Sequence, residues 1–340
     1  MSLMPFQAEE LPEYLYRLRH YKCGGSNAND IRAEFYELRS MIMEAPNTRD
    51  IDKPADDRYA RTLVALDKMM ANHDSVVMVV DESRIRELPD GQLEIVSKPL
   101  RERPLTSGLY ICSGSSYADQ PSALSRGTGF FIADGVVATA GHVLLTGRPG
   151  DALHRVRFVT GVAKAYDDHL STGITITHEQ VFRPKAGFEL TGACYQVSSM
   201  GADWALVQVE PVYPDRVSRL PTPLNIQEAP VTNNQKVYCL GHGLGLPVKV
   251  SYKGLICAND TNRPYFETSL TLLGGNSGSP VFNAATHELV GIYVRGINQL
   301  VRNADGCLVV HNEIVAFEGQ ECQRMAPLLN ALRLLNRNNR

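Results

Sequence analysis

The sequence predicts a mainly β protein, an antiparallel sandwich or barrel, preceded by a small, mostly helical region. From residue 110 onward, short apolar runs alternate with glycine, aspartate and asparagine, which is typical of strands joined by tight turns. Asp134-Gly135 lies between two such runs and indicates a hairpin, because glycine accepts the positive φ of a tight turn. In the first hundred residues, by contrast, apolar residues recur at helical spacing. We therefore divide the chain into a helical region, 1–104, and a β domain, 105–340.

Three helices are predicted in the N-terminal region, over 11–21, 29–44 and 55–72. A strand at 76–80 and a charged, loop-like stretch to residue 104 follow. Two interpretations stay open for this region. It is either an appendage that packs on the β domain, or a propeptide, regulatory or docking module that binds a protein partner.

The β domain is predicted to contain many short strands and to end in an amphipathic helix at 327–335. Many strands with few interior helices indicate antiparallel layers. The predicted strands cover 130–132, 136–138, 156–159, 174–177, 205–209, 236–240, 289–294 and 308–310.

Composition and charge exclude several classes of function. A net charge of −3, with scattered basic residues, gives no reason to expect nucleic acid or an acidic membrane surface as a partner. No uncharged apolar run is long enough to span a bilayer. The N-terminus shows no basic segment followed by an apolar one, so no secretory signal is visible, although a removed signal would leave no trace.

The seven cysteines are dispersed, odd in number and without a CxxC pair. This spacing predicts reduced core cysteines and neither a zinc site nor a disulfide framework. Together with the missing signal, it predicts a cytoplasmic protein that needs no metal or cofactor.

The segment 273–283, Leu-Gly-Gly-Asn-Ser-Gly-Ser-Pro-Val-Phe-Asn, carries the strongest functional signal. A nucleophilic serine needs a tight turn whose N–H groups face the substrate carbonyl, and glycines allow that bend. The segment resembles the serine motif of trypsin-like peptidases, most closely the bacterial glutamyl endopeptidase (V8-like) branch. The resemblance implies that Ser277 is the nucleophile and that the N–H groups of Gly275 and Ser277 form the oxyanion hole.

Two further segments resemble the same family. Thr-Ala-Gly-His-Val at 139–143 follows the strand Gly-Thr-Gly-Phe-Phe-Ile at 127–132, which implies that His142 is the general base. Ala-Asp-Trp-Ala-Leu-Val at 202–207 implies that Asp203 orients this histidine. The order His, Asp, Ser is that of chymotrypsin-like enzymes and differs from that of subtilisins and α/β-hydrolases. The resemblance implies two six-stranded antiparallel barrels of the chymotrypsin type, followed by the C-terminal helix.

The resemblance extends to the substrate pocket. The strand at 289–296 resembles the strand that lines the primary pocket, and 305–309 resembles the strand that closes it. The predicted lining residues are Thr271, Leu272, Tyr293, Val294, Arg295 and Gly296. Tyr293 and Leu272 replace the acid-binding histidine and threonine of the glutamyl branch, and Thr271 stands where trypsin has an aspartate. We expect a bulky apolar or uncharged residue before the cut, with Arg295 as the one group that could favour an acidic residue.

Other departures concern activation and compartment. Asn276 precedes the serine where trypsin has an aspartate, so activation by a buried ion pair with a new N-terminus is not expected. Val143 stands where many secreted relatives have cysteine.

We predict a serine endopeptidase acting on proteins or peptides through an acyl-enzyme. The first alternative is a catalytically silent scaffold with a protease-like fold. The second is a chaperone-protease of the HtrA type, which is disfavoured because only a short helix follows the protease segment and no PDZ domain.

Overall fold

The computed structural model describes residues 68–69, 71–105, 108–115, 117–145, 153–162, 173–187, 190–194, 201–296, 300–310 and 319–338. Its strands, in chain order, are β1 (Val76–Asp81), β2 (Ile85–Glu87), β3 (Leu93–Ile95), β4 (Ser97–Pro99), β5 (Pro121–Ala123), β6 (Ser125–Ala133), β7 (Val136–Thr139), β8 (Val156–Thr160), β9 (Ile174–Ile176), β10 (Val181–Pro184), β11 (Thr191–Ala193), β12 (Trp204–Pro211), β13 (Lys236–Gly241), β14 (Lys249–Ala258), β15 (Tyr265–Thr268), β16 (Pro280–Asn283), β17 (Leu289–Arg295), β18 (Leu300–Arg302), β19 (Leu308–Val310) and β20 (Gln320–Arg324). Two helices, α1 (Gly141–Leu144) and α2 (Ala326–Asn338), complete these elements, and residues 68–69 and 71–73 are also helical.

The first barrel closes six antiparallel strands in the order β10-β8-β1-β6-β7-β12, with β10 pairing back to β12 and β11 extending the sheet. Its strands are rich in valine and phenylalanine because both their faces are covered. In β1 only the final Asp81 is not buried. Phe131 and Phe182 meet edge to face with ring centroids 5.3 Å apart, and burying each ring stabilises the fold by about 1.5–3 kcal/mol.

The second barrel closes in the order β13-β14-β15-β20-β17-β16. Helix α2 packs on the first barrel, where Leu328 and Leu332 join its core and Leu334 stays exposed on the opposite face. The predicted mainly β fold with two closed six-stranded barrels and a C-terminal helix is confirmed. The Asp134-Gly135 hairpin is also confirmed, with Gly135 at φ 63°.

The boundary expected at residue 105 lies too late for the first barrel. Strand β1 sits between β6 and β8, and β3 pairs with β9, so residues 76–95 belong to the β structure rather than to a helical region. The stretch expected to be a loop contains β2, β3 and β4, with Leu93 and Ile95 buried. The predicted helices at 11–21 and 29–44, and nearly all of the third, lie outside the described residues.

One expectation about the cysteines is wrong. Cys112 and Cys307 form a disulfide across 195 residues of sequence, with Cα atoms 5.0 Å apart. The bond joins the segment between β4 and β5 to the hairpin of β18 and β19. Spacing alone does not show this pairing, because only the tertiary structure brings the two cysteines together. Cys239, Cys257 and Cys322 are free thiols. The disulfide removes the cysteine argument for a reducing compartment.

Candidate active site

Two neighbouring strands of the first barrel bring His142 and Asp203 together. His142 lies on α1 directly after β7, and Asp203 directly precedes β12, the antiparallel partner of β7. The imidazole Nδ1 of His142 lies 2.7 Å from Oδ2 of Asp203, and the His142 backbone N–H donates to Oδ1 at 2.8 Å. Both carboxylate oxygens of Asp203 therefore contact His142, which fixes the position of this residue and the direction of its ring.

The carboxylate of Asp203 is fully buried. An ionised carboxylate only accepts hydrogen bonds, so Nδ1 of His142 carries a proton in this contact. The backbone N–H of Asp203 donates to Oε1 of Gln323 at 2.9 Å. Because Gln323 lies on β20, the second barrel holds the aspartate that belongs to the first.

The serine turn immediately precedes β16 in the second barrel, and two glycines allow its conformation. Gly275 has φ 95° and Gly278 has φ 89°, both in the region that side chains disfavour. A Cβ on Gly278 would lie 2.0 Å from the carbonyl oxygen of Thr128. The turn therefore needs glycine at these positions, both for the bend and for its approach to the first barrel.

Hydrogen bonds to the carbonyls of the turn fix the direction of two N–H groups, those of Gly275 and Ser277. The carbonyl of Gly274 accepts from the N–H of Leu244 at 2.6 Å, and that of Asn276 accepts from the N–H of Ser279 at 2.8 Å. In a trans peptide the N–H points opposite to the C=O, so the N–H groups of Gly275 and Ser277 point away from these internal contacts. In the described part of the chain, neither N–H has a hydrogen-bond acceptor.

Thr128, on β6, fastens the serine turn to the first barrel. Its backbone N–H donates to the carbonyl of Ser277 at 2.8 Å, and its Oγ1 donates to the carbonyl of Gly275 at 2.8 Å. The same Oγ1 accepts from the N–H of His242 at 3.0 Å, and the Thr128 side chain is fully buried. One side chain thus fixes the peptide unit that follows Gly275.

A cleft of about 450 Å³ contains both His142 and Ser277. Its lining combines the serine turn, the pocket strand, the 244–245 turn and a segment that precedes β5. The lining residues are Arg103, Pro104, Leu105, Ser125, His142, Leu244, Gly245, Leu272, Gly274, Gly275, Ser277, Tyr293, Val294, Arg295, Gly296 and Leu300.

Five of the six predicted pocket residues line this cleft: Leu272, Tyr293, Val294, Arg295 and Gly296. The sixth, Thr271, is half-buried and does not line it. Asp203 lies behind His142 and is also absent from the lining.

The two polar pocket residues are already engaged within the protein. The hydroxyl of Tyr293 donates to Oε1 of Gln320 at 2.9 Å, and burial raises the pKa of this phenol. Arg295 forms an ion pair with Glu321, and its guanidinium lies 5.1 Å from the centre of the Tyr265 ring. The positive charge of Arg295 is therefore neutralised before any substrate arrives.

The strand beside the pocket strand differs from the expected one. Residues 305–309 were expected to close the pocket, but β19 pairs with β18 in a separate two-stranded sheet. Strand β20 occupies the place next to β17.

His242 lies behind the serine turn and is almost fully buried. Its Nδ1 lies 3.1 Å from the carbonyl of Leu246, so this nitrogen carries the proton. Burial lowers the pKa of His242 to about 3. The side chain is thus a neutral support for the turn, and Nε2 has no hydrogen-bond partner in the described part of the chain.

The described residues contain no group of three or more histidine, cysteine, aspartate or glutamate residues able to hold a metal ion. None of the helices among them is long and apolar enough to cross a membrane.

Part of the chain is similar to a known protein family. Residues 127–292 match the sequence model of the trypsin-like peptidase domain. The match covers just under half of the chain and includes His142, Asp203 and Ser277. The structure is similar to that of a serine endoprotease from Yersinia pestis, with 15% identity, 81% of this chain and 68% of that chain covered, and a TM-score of 0.44. A search of curated proteins by sequence gave no match.

Three residues of the site were not identified from the sequence. Thr128 lies inside a quoted motif, yet its spacing does not reveal that its hydroxyl reaches the serine turn. Gln323 belongs to a polar stretch with no recognisable pattern. Arg103 precedes the matched region altogether.

Proposed function

We propose that this protein is a serine endopeptidase in which Ser277 is the nucleophile, His142 the general base and Asp203 the group that orients it. The observation that carries the proposal is the serine turn. It presents Ser277 in the same cleft as a histidine held by a buried carboxylate, with two N–H groups that have no acceptor among the described residues. This combination is what acyl transfer from a peptide requires.

In the acylation step, Nε2 of His142 accepts the proton of the Ser277 hydroxyl as Oγ attacks the carbonyl carbon. The imidazolium that forms is stabilised by Asp203, 2.7 Å from Nδ1. Negative charge develops on the carbonyl oxygen and is met by the N–H groups of Gly275 and Ser277. One such donor contributes about 10²–10³ in rate in enzymes of this kind.

Collapse of the tetrahedral intermediate breaks the C–N bond, and His142 returns its proton to the leaving amine. Water then replaces the amine. His142 removes a proton from this water, hydroxide oxygen bonds to the acyl carbon, and Ser277 leaves with a proton. The imidazole of His142 carries the proton in acylation and in deacylation, and Asp203 holds it in the orientation that both steps require.

We propose an apolar or uncharged residue before the scissile bond. Leu272 is buried, Tyr293 uses its hydroxyl on Gln320, and Arg295 is paired with Glu321. Since Arg295 is paired, the described part of the pocket strand offers a substrate no uncompensated charge, so we do not expect the glutamate preference of the glutamyl branch.

Labelling with a fluorophosphonate tests the proposal without a known substrate. We expect wild-type protein to label stoichiometrically, Ser277→Ala not to label, and His142→Gln to label far more slowly. Ser125→Ala is the matched control, because Ser125 is another serine of the cleft and its removal should leave labelling intact. Absence of labelling in folded wild-type protein, or equal labelling of Ser277→Ala, would refute the proposal and favour a silent scaffold.

A further inference from the structure

Two arginines line the cleft, and they differ in their electrostatic environment. Arg295 is paired with the carboxylate of Glu321. Arg103 donates from Nη1 to Oγ of Ser122 at 2.6 Å, to the carbonyl of Leu244 at 3.2 Å and to the carbonyl of Ala123. In the described part of the chain it has no carboxylate partner.

These neutral acceptors orient the Arg103 guanidinium without cancelling its charge. Nη1 takes all three contacts, so Nε and Nη2 make no hydrogen bond within the described residues. Burial and the nearby charge of Arg84 both lower the pKa of Arg103. A fixed, half-buried cation of this kind attracts anions more strongly than one in open water.

The hydrogen bonds place Arg103 near one end of the serine turn and the pocket strand at the other. At one end of the turn, Gly278 donates to the carbonyl of Tyr293. At the other end, Gly274 accepts from Leu244, whose own carbonyl binds Arg103. A peptide whose acyl-side residue rests on the pocket strand therefore extends its leaving group toward Leu244 and Arg103.

We propose that Arg103 binds an acidic side chain of the substrate on the leaving-group side of the scissile bond. The inference rests on the proposed endopeptidase function and adds a substrate class to it. It also gives a role in the site to the segment in front of β5, which lies outside the region that matches the trypsin-like family.

The competing role for Arg103 is purely structural, as an anchor for this segment. Two variants separate the roles. Arg103→Lys keeps the charge and loses most of the hydrogen-bonding geometry. Ser122→Ala keeps the charge and removes one anchoring acceptor. If charge recognition is the role, both retain the acidic preference even where they lower thermal stability.

The test uses quenched peptides of identical acyl side that differ only by Glu against Gln at the first or second residue after the cut. We expect wild-type protein to cleave the better-placed Glu peptide about 3- to 10-fold faster in kcat/KM than its Gln partner. Arg103→Gln should bring this ratio to about one. The matched control is Arg101→Gln, which removes an exposed arginine paired with Asp119 outside the cleft and should keep the ratio.

A binding arm separates failure of this inference from failure of the proposed function. In Ser277→Ala protein, fluorescence anisotropy should show tighter binding of the Glu peptide than of the Gln peptide, and Arg103→Gln should abolish the difference. High salt should shrink it. A ratio of one in wild-type protein, or a ratio that survives Arg103→Gln, overturns the role of Arg103. Absence of cleavage and of labelling refutes the peptidase, while the anisotropy still decides whether Arg103 selects acidic peptides.

Discussion

Replacing Thr128 by valine tests whether the first barrel fixes the oxyanion hole. Valine has nearly the same shape but loses Oγ1, which donates to the carbonyl of Gly275 and accepts from the N–H of His242. Both backbone groups would remain buried without a partner. Each unsatisfied group costs about 1–3 kcal/mol, so we expect the free energy of unfolding to fall by about 2–6 kcal/mol, measured by urea denaturation.

The catalytic effect follows from the same contacts. Without Oγ1, the peptide unit between Gly275 and Asn276, which joins the two donor-bearing units, keeps only the bond from its N–H to the carbonyl of Leu273 at 2.9 Å, so both donors are held less firmly. Complete loss of one oxyanion donor costs about 10²–10³ in rate, and partial loss should cost about tenfold or more. The assay is the second-order rate of fluorophosphonate labelling, because the phosphonyl oxygen occupies the same position as the substrate oxyanion.

Thr128→Ser is the matched control, since it keeps the hydroxyl and should label within about threefold of wild type. The comparison is made well below the melting temperature of each variant, so that only folded protein is measured. If Thr128→Val labels as fast as Thr128→Ser while its stability falls, Thr128 supports the fold alone and the proposed coupling to the hole is wrong.

Three other perturbations have expected effects on activity or stability that follow from the structure. Gln323→Leu removes the acceptor of the Asp203 N–H, so kcat/KM should fall at least severalfold with little change in KM, and Gln323→Glu, which keeps an acceptor, should recover most of it. The folded pKa of His242 is about 3 against 6.5 for the free side chain, so the unfolded state binds more protons below about pH 6.5. Stability should therefore drop by about 2 kcal/mol from pH 7 to pH 5, and His242→Gln should shrink that drop; equal drops in both proteins would show that other groups dominate. Reducing the Cys112–Cys307 disulfide, which closes 195 residues, should lower the free energy of unfolding by about 2–5 kcal/mol, and Cys307→Ser should be insensitive to reductant. A variant that still responds would place the effect at another disulfide.

The sequence is informative where burial and chemistry impose the same residue types locally. Strands β7 and β12 are apolar runs because their side chains are buried, and they were predicted to within two residues at each end. The serine turn was predicted because glycine is required at Gly275 and Gly278. Local constraints of this kind need no knowledge of the partners.

Strand β20 shows where pattern reasoning fails. Gln320 and Gln323 occupy buried positions, so the strand lacks the apolar alternation by which strands are recognised. Their polarity is explained only by partners far away in sequence, namely the hydroxyl of Tyr293 and the N–H of Asp203. A residue whose environment is supplied by another element cannot be interpreted from its own neighbours.

Strand β1 shows a different kind of failure. The strand was predicted, yet it was assigned to the N-terminal region because its partners β6 and β8 follow some 50 and 80 residues later. Sequence composition changes near residue 110, but the first barrel begins at Val76. The change in composition marks the end of the charged stretch between β1 and β5. It does not coincide with the start of the first barrel.

Strand β20 and helix α2, which follow the serine turn in sequence, complete the structure around Asp203. Gln323 on β20 holds the aspartate, and α2 covers the barrel to which the aspartate belongs. During synthesis on the ribosome, a nascent chain that already contains the serine turn still lacks both contacts. The support of Asp203 is therefore completed only by residues that are translated after the serine turn.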